Sequence, residues 1–421
     1  MQILLINFLM YLGFSLYIFK KYHRITIYHL VWLLFTVIAF MGYYSYLIGA
    51  YSTIFKDDGK FVIEPYIYCF ISVFLLLLPL KKFQKNYSIE SYKELDGGKL
   101  NFLANFLCVI SGLRFLAVFV MFASIIATTG LGAAYENYHF GGNEVLGLSE
   151  WQSKIIWLTQ PFQSNFFWFA PLVALMALNN RDRISKKWIF ITTMIITSEI
   201  LGYLSRSARG ELMYLCIKVG LLLALVWPYL RSSIKKKVVS LGLLFAGFLF
   251  VYAIYITIDR FQDSDLDTQD GIIRYLGEPF PNLGNQVWNH VLHYPMGVRF
   301  FPFLFGFDDT ADSVAGYQEF WELYIGIPML NFRTVYGDFY VEFGKIGGLI
   351  GVIIVSVIWM IVLRSKNLKL YMIPMLTVYL HTITMAPLYF IYRGTSMYVQ
   401  VLLAIIFTIL IKWLMYKPQV K

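Results

Sequence analysis

Apolar runs of about 18 or more residues recur along this 421-residue chain from one end to the other. Each is long enough to cross a hydrocarbon core of about 30 Å as a helix. Charged residues make up 14% of the chain, against about 25% in soluble domains. We therefore predict an all-α polytopic integral membrane protein with about eleven transmembrane helices, at roughly 2–19, 27–48, 63–80, 101–127, 155–178, 188–204, 211–230, 238–259, 336–363, 370–390 and 397–413.

The distribution of Lys and Arg orients these spans. Alternate connections, together with the C-terminal tail, carry 22 of the 35 basic residues, whereas the opposite connections carry 10. Because basic segments tend to remain in the cytoplasm, we predict an N-terminus outside and a C-terminus inside. The net charge of +10 is thereby explained mostly as an orientation signal, and it does not indicate a nucleic-acid partner.

The segment 260–335 is much the longest connection, and this orientation places it outside. It is rich in aromatic residues, as in "VRFFPFLFGF" and "YQEFWELYIGIPML", whereas disordered segments are depleted in them. We expect an ordered cap on the outer membrane surface, in which pieces such as "GNQVWNHVLHY" form short interfacial or re-entrant helices. The predicted organisation is a single transmembrane domain over 1–421 that includes this periplasmic loop at 260–335.

Two arginines occupy the exterior turn "SRSARGEL" between two spans. Arg206 and Arg209 are three residues apart, so they share a face if the second helix starts early, and both can then point at one anion. The alternative is that the two side chains snorkel to lipid headgroups. Glu199 and Lys218 lie in the flanking spans, and we expect them to form a structural pair across the hairpin.

Arg114 lies inside a span, about 20 Å from the cytoplasmic start of its helix. Ionisable groups at that depth by default face a cavity or a partner. Arg114 is therefore a candidate for substrate binding, and a structural ion pair with Glu64 or Glu199 is the alternative.

The long connection and the residues just after it supply the other candidates, which are His290, His293, Arg299, Glu322, Arg333 and Asp338. The sequence "NHVLHYP" lacks the glutamate and the third ligand of a zinc site, so its histidines are interpreted as a base or phosphate donor, or as ordinary loop residues. The run "DSDLDTQDG" places Asp263, Asp265 and Asp267 at alternate positions but lacks the glycine and the glutamate of a calcium loop. We predict no metal and no cofactor.

The arrangement resembles the bacterial oligosaccharide repeat-unit polymerases, the Wzy-type O-antigen and capsule polymerases. The likeness consists of the turn "SRSARGEL", the aromatic exterior loop and the re-entry segment "NFRTVYGDFYVEFGKIGG", over about residues 188–363. It implies a membrane glycosyltransferase of GT-C-like architecture in the bacterial inner membrane, which joins repeat units carried on undecaprenyl diphosphate at the periplasmic face. The arginine of the family's re-entry segment would correspond to Arg333, and those of its turn to Arg206 and Arg209.

The resemblance also implies roles. Arginines would stabilise the departing diphosphate without a metal, and a carboxylate or histidine would deprotonate the acceptor hydroxyl. The residues expected to carry the reaction are Arg206, Arg209, Arg333, His290, Glu322 and Asp338, and those expected to bind substrate are Arg114, Arg299, His293, Trp288 and Trp321. Expected partners are the undecaprenyl-diphosphate-linked oligosaccharide, membrane lipids, and a chain-length regulator and flippase of the same pathway.

Two other functions are compatible with this composition. An O-antigen ligase uses the same donor and transfers the glycan to lipid A–core, so only the acceptor separates it from a polymerase. A lipid-linked oligosaccharide flippase or another transporter tends to have repeated halves and midplane helices broken by Gly or Pro. The sequence has no such repeat, and its polar groups gather at the predicted outer face.

Overall fold

The structure is a computed structural model that describes residues 1–23, 25–51, 61–84, 88–89, 97–128, 149–180, 186–205, 209–240, 242–243, 247–248, 251, 273, 276–306, 314–329, 332–365, 367–392 and 394–415. Its helices include α1 (Gln2–Tyr22), α2 (Ile27–Leu47), α3 (Glu64–Leu77), α4 (Gly97–Thr128), α5 (Glu150–Phe166), α6 (Phe169–Asn180), α7 (Lys187–Ser205), α8 (Arg209–Val226), α9 (Pro279–Asn282), α10 (Val314–Ile325), α11 (Thr334–Val362), α12 (Ile373–Met385) and α13 (Thr395–Met415). Two short strands, β1 (Ser88–Ile89) and β2 (Asn367–Leu368), form a parallel pair.

Within the described residues, seven helical stretches are long and apolar enough to cross a membrane: Gln2–Tyr22, Ile27–Leu47, Glu64–Phe83, Gly97–Ala127, Lys187–Ser205, Thr334–Val362 and Met397–Leu414. Two shorter apolar helices, Tyr214–Tyr229 and Leu370–Met385, add to them. An all-α multi-pass membrane protein is therefore confirmed, whereas the number of eleven spans and the GT-C-like architecture stay predictions. The predicted span 155–178 is divided into α5 and α6, and most of 238–259 lies outside the described residues.

Two compact units divide the chain. The first contains Met1–Tyr87, Ser264–Lys366 and Tyr379–Val399, and the second contains Ser88–Asp263, Asn367–Val378 and Gln400–Lys421. In the second unit Val118, Met121 and Ile125 of α4 form a buried cluster against Ile156 of α5 and Leu201 of α7. Their spacing of three and four residues places the α4 side chains on one helix face.

An aromatic core holds α1, α2 and α3 together in the first unit. The Tyr11 ring is fully buried halfway along α1, and its centroid lies 5.2–6.0 Å from those of Trp32, Phe35, Phe70 and Phe280. Such tilted and stacked contacts are favourable beyond the area they bury. The first three helices therefore pack as one body, which also includes a ring from the long connection.

Residues 276–287 of the long connection are inserted among these helices. The Tyr66 hydroxyl of α3 donates to the Phe280 carbonyl oxygen at 3.3 Å, and the Tyr51 hydroxyl donates to Asn282 Oδ1 at 2.9 Å. A methyl group added to Gly42 of α2 would lie 3.0 Å from the Gly277 carbonyl oxygen. This part of 260–335 therefore packs among the helices of the first unit, and the expectation that such pieces are interfacial or re-entrant within an exterior cap stays a prediction. That the connection is periplasmic stays a prediction.

The stretch assigned to α11 is two helical arms that reverse at Gly344. Gly344 has φ 73° and ψ −173°, a backbone conformation that is essentially restricted to glycine. A methyl group added to Gly351 would lie 2.7 Å from the Phe339 ring, and one added to Gly348 would lie 3.1 Å from the Phe339 backbone. Twelve residues span about 18 Å in a continuous helix, so these contacts require that arm 334–343 folds back on arm 345–362.

The predicted orientation has a direct test. A reporter that is active only outside the cytoplasm should be active when it is fused after residue 300 and silent when it is fused after residue 234, because the basic segment "RSSIKKK" precedes the second fusion point and favours the cytoplasm. Both fusions are compared by reporter activity normalised to the amount of fusion protein in the membrane. The reverse pattern would contradict the orientation.

Candidate buried arginine site

Two acidic side chains lie on one face of the first arm of α11. Asp338 and Glu342 are four residues apart, which places them one above the other on a helix, and both are completely buried. Asp338 Oδ2 accepts a hydrogen bond of 2.7 Å from the backbone N–H of Phe390. A buried carboxylate needs partners, and each of these two has an arginine beside it.

Arg333 immediately precedes this arm and is only 1% exposed. Its Nε lies 3.5 Å from Asp338 Oδ1, and its Nη2 donates to the Met329 carbonyl oxygen at 2.7 Å. The backbone N–H of Arg333 donates to the Leu388 carbonyl oxygen at 3.0 Å. The backbone N–H of Thr334 donates to the same oxygen at 2.9 Å. The segment after α12 thus fixes the place at which the arm begins.

Thr334 has a strained backbone at the base of the arm. Its φ is 67°, which is a genuine outlier for a β-branched residue and costs about 1–3 kcal/mol. Its hydroxyl oxygen accepts from the backbone N–H of Gly337 at 3.3 Å and from the Cys69 thiol at 3.5 Å. The arm is therefore bounded by two residues of positive φ, Thr334 and Gly344.

Arg299 reaches the same carboxylates from the long connection. Its Nη2 lies 3.7 Å from Asp338 Oδ1 and its Nη1 lies 3.8 Å from Glu342 Oε2. Glu342 Oε1 also accepts from the backbone N–H groups of Gly297 and Arg299, at 2.9 and 3.1 Å, and its carbonyl oxygen accepts from Met296 at 3.0 Å. Glu342 therefore holds both the backbone and the side chain of the Arg299 loop.

Arg299, Arg333, Asp338 and Glu342 form what we call the arginine cluster. Its two positive and two negative charges balance, and each of its side chains is at most 3% exposed. Removing charges from water costs several kcal/mol per ion unless they are paired and hydrogen-bonded. Loss of any one member would therefore leave an uncompensated buried charge, and the two guanidinium groups supply the donors that bind phosphate oxygens.

The other polar candidates of the long connection lie in different environments. His290 and His293 are exposed, and the His293 ring lies 5.3 Å from that of Tyr324. Glu322 Oε1 accepts from the backbone N–H of Met329 at 2.7 Å, so Glu322 stabilises the chain just before Arg333. The roles predicted for these three residues stay predictions.

The two tryptophans predicted to bind substrate are buried. Trp288 is 2% exposed and stacks on Tyr340 with ring centroids 4.6 Å apart, while Lys345 Nζ lies 4.7 Å from its ring centroid. Trp321 is 3% exposed within α10. Both rings contribute packing in the structure as it stands, and their contact with a substrate stays a prediction.

Arg114 lies in the second unit, where it has polar partners on α5. Its guanidinium donates to the Ile156 carbonyl oxygen at 2.9 Å and to Gln160 Oε1 at 2.6 Å. Glu199 lies within electrostatic range of Lys218 and Arg114, whereas Glu64 forms its ion pair with Lys345 at 3.2 Å. The hydrogen bonds described for Arg114 are thus to α5, and its ion pair with Glu199 stays a prediction, as does the pair of Glu199 with Lys218.

Several predicted residues fall outside what the structure describes. Arg206 lies outside the described residues, as do Asp263, Asp265 and Asp267, and Arg209 begins α8 without a described side chain. Among the residues that are described, no group of three or more His, Cys, Asp or Glu side chains is arranged to hold a metal ion. The arginine turn and the acidic run therefore stay predictions.

Glu342 is the site residue that sequence reasoning missed. It lies in the quoted re-entry segment but was not among the candidates, although its spacing of four from Asp338 already placed both carboxylates on one helix face. The contribution of residues 386–392 had no sequence signal, because it consists of backbone groups: Phe390 N–H and the carbonyl oxygens of Leu388 and Ala386.

Comparison of the chain with protein-family models, with curated proteins and with solved structures finds no match in any of the three.

Proposed function

We propose that this protein polymerises oligosaccharide repeat units carried on undecaprenyl diphosphate, at the periplasmic face of the bacterial inner membrane. The observation that carries the proposal is the convergence of Arg299 and Arg333 on one carboxylate oxygen, Asp338 Oδ1, at 3.7 and 3.5 Å. This pair lies on the segment that resembles the polymerase family. A lipid diphosphate is a dense anion attached to an apolar tail, and a guanidinium pair among apolar helices suits it.

The proposed reaction is a displacement at the anomeric carbon of the donor glycan. The acceptor sugar hydroxyl attacks this carbon, the bond from the carbon to the diphosphate oxygen breaks, and the lipid diphosphate leaves with both bonding electrons. The hydroxyl proton passes to a carboxylate or histidine, for which Asp338, Glu322 and His290 are the candidates. The arginines stabilise the negative charge that develops on the leaving group, and they do so more strongly where water is excluded.

Access to the buried arginines requires a movement, and the first arm of α11 is the element suited to make it. Asp338 Oδ1 lies between the two guanidinium groups, 3.7 Å from Arg299 Nη2 and 3.5 Å from Arg333 Nε. A diphosphate oxygen would take the place of Asp338 Oδ1 when arm 334–343 turns about its ends. Those ends are Thr334 and Gly344, whose positive φ values mark the points where the backbone direction changes.

The test is polymer length in the bacterium that carries this chain, after deletion of the gene and complementation. Compared at equal amounts of folded protein in the membrane, Arg333→Ala should lower the polymerisation rate by about 10²–10³-fold, the usual effect of removing one donor to a developing charge. Arg333→Lys should restore only part of it, because an ammonium lacks the guanidinium fork. Glycan length is measured by gel electrophoresis and mass spectrometry of the extracted polymer.

Arg364→Ala is the matched control, since Arg364 is an exposed arginine just beyond the second arm of α11, and it should leave polymer length unchanged. Full-length polymer from both Arg333→Ala and Arg299→Ala would contradict the proposal. Unchanged polymer that is no longer attached to lipid A–core in the deletion strain would instead identify a ligase.

We further predict that the purified protein in nanodiscs polymerises lipid-linked repeat units in excess EDTA. Magnesium commonly neutralises a diphosphate leaving group, but in this proposal the arginines supply that positive charge. Product formation is followed by mass spectrometry with and without chelator. Loss of activity in EDTA that Mg²⁺ or Ca²⁺ restores, and that Asp265→Asn abolishes, would show instead that the acidic run recruits an ion.

A further inference from the structure

An exposed apolar patch lies on the loop that carries Arg299. Its members are Met296, Phe303, Leu304 and Phe305, which are 66%, 48%, 68% and 56% exposed. Arg299 is the only Lys, Arg, Asp or Glu between positions 292 and 306, and its side chain is buried beneath this loop. The surface of the loop therefore lacks the charges that normally keep a connection in water.

The contacts and the backbone conformation at Gly297 show that the patch is continuous. A methyl group added to Gly297, next to Met296, would lie 3.7 Å from the Phe305 ring and 3.8 Å from the Phe301 ring. Gly297 has φ 102°, so the tight turn brings the two ends of the loop together. Met296 and the turn at 302–305 thus belong to one apolar surface.

This surface adjoins the lipid-facing side of α13. The rings of Phe301 and Phe303 lie 5.2 and 5.5 Å from that of Tyr398, near the start of α13. The next residue, Val399, is 48% exposed and belongs to Met397–Leu414, a stretch that is long and apolar enough to cross a membrane. An exposed apolar face on such a helix is suited to hydrocarbon, so the patch adjoins a surface of the kind that contacts lipid.

We propose that residues 296–305 insert into the bilayer and form a membrane-inserted loop beside the arginine cluster. The occupant of the patch is the phospholipid bilayer at the end of α13, because the patch continues the lipid-facing side of that helix and carries no charge. Phe and Leu side chains are typical of protein surfaces that lie in the membrane interface. The proposal is independent of the reaction assigned above. It implies that any ligand of Arg299 reaches this side chain from the lipid phase.

The test measures the environment of position 304 directly. A nitroxide is attached to Leu304→Cys in a Cys108→Ala/Cys216→Ala background, in which the remaining Cys69 is completely buried. The protein is reconstituted singly in nanodiscs of phosphatidylethanolamine and phosphatidylglycerol. Electron paramagnetic resonance then compares collision of the label with oxygen, which partitions into lipid, and with a water-soluble nickel chelate.

The label at position 304 should collide more with oxygen than with the chelate, as a label at Ile409→Cys on the exposed face of α13 should. A label at Glu150→Cys, where the native side chain is 83% exposed, provides the aqueous reference. Preference for the chelate at 304 would overturn the proposal, and so would shielding from both reagents, which would mean that protein covers the patch. Phe305→Cys repeats the measurement if Leu304→Cys does not insert.

Discussion

Replacing Asp338 with asparagine should destabilise the protein by about 3–5 kcal/mol, the usual cost of breaking a buried ion pair from one side. The asparagine carbonyl oxygen would keep the hydrogen bond from Phe390, which Asp338 Oδ2 now accepts. The amide nitrogen would then face Arg299 and Arg333, which lie 3.7 and 3.5 Å from Oδ1. The new amide and the two guanidinium groups would then be three donor groups close together. The cluster would hold two buried positive charges and one negative charge, that of Glu342.

Thermal unfolding of the purified protein in detergent measures this effect. Glu64→Gln is the matched control, because it breaks the half-exposed ion pair with Lys345 on the second arm of the same hairpin, and exposed pairs are worth at most about 1 kcal/mol. The double variant Asp338→Asn/Arg299→Gln restores charge balance and should be more stable than the sum of its single changes implies. Equal melting temperatures for Asp338→Asn and Glu64→Gln would show that the cluster is not ionised and paired as described.

Replacing Gly344 with alanine should destabilise the hairpin by about 1–3 kcal/mol, because the backbone conformation at φ 73° and ψ −173° is strained for any residue with a Cβ. Space is not the reason, since an added methyl group would make ordinary contacts with the Tyr294 ring at 3.6 Å. If arm 334–343 turns about this residue, Gly344→Ala should also reduce polymer length more than its loss of stability explains.

Gly112→Ala is the control for this change. Gly112 lies within α4 and has nothing within 4 Å of an added methyl group, so alanine should stabilise the helix by up to about 1 kcal/mol. The two variants are compared by melting temperature in detergent and by polymer length in complemented cells. A Gly344→Ala protein as stable as the Gly112→Ala protein would mean that the chain does not reverse at position 344.

Hydropathy alone placed most of the described helices. The predicted spans 2–19, 27–48 and 188–204 correspond closely to α1, α2 and α7. A run of apolar residues long enough for a bilayer favours a helix, because a helix satisfies all its backbone hydrogen bonds within the segment. The same reasoning overextended the span at 370–390: α12 ends at Met385. Residues 386–392 are as apolar as a helix end, but their backbone groups pair with the start of α11.

The reversal in α11 lies beyond this kind of prediction. The sequence from 336 to 363 satisfies every hydropathy test for a single span, and glycine is common in membrane helices, so Gly344 carried no special signal. The difference arises from packing: the glycines at 348 and 351 let Phe339 approach the second arm. Hydropathy measures how apolar a segment is. It contains no information on which other segment the apolar side chains pack against.

The arginine cluster could be predicted in part. Arg299, Arg333 and Asp338 were all candidates from the long connection and the residues just after it, and the family resemblance also pointed to Arg333. That Arg299 approaches the other two depends on the fold of a loop 34 residues earlier in the chain. The turn at Met296 and Gly297, which aims Arg299 inward, depends on Glu342 as a hydrogen-bond acceptor, and no local pattern contains that information.

The contacts between the base of α11 and residues 386–392 constrain the order of events during biosynthesis. The donor to Asp338, the backbone N–H of Phe390, is synthesised 52 residues after it. The backbone N–H groups of Arg333, Thr334 and Val335 likewise lack their acceptors until the carbonyl groups of Ala386 and Leu388 have been synthesised. A nascent chain that has been translated only through α11 therefore has a hairpin with unsatisfied polar groups at its base. Residues 386–390 must therefore be synthesised before the four charged side chains can pack with all their partners, so a protein that is terminated before them has no assembled site.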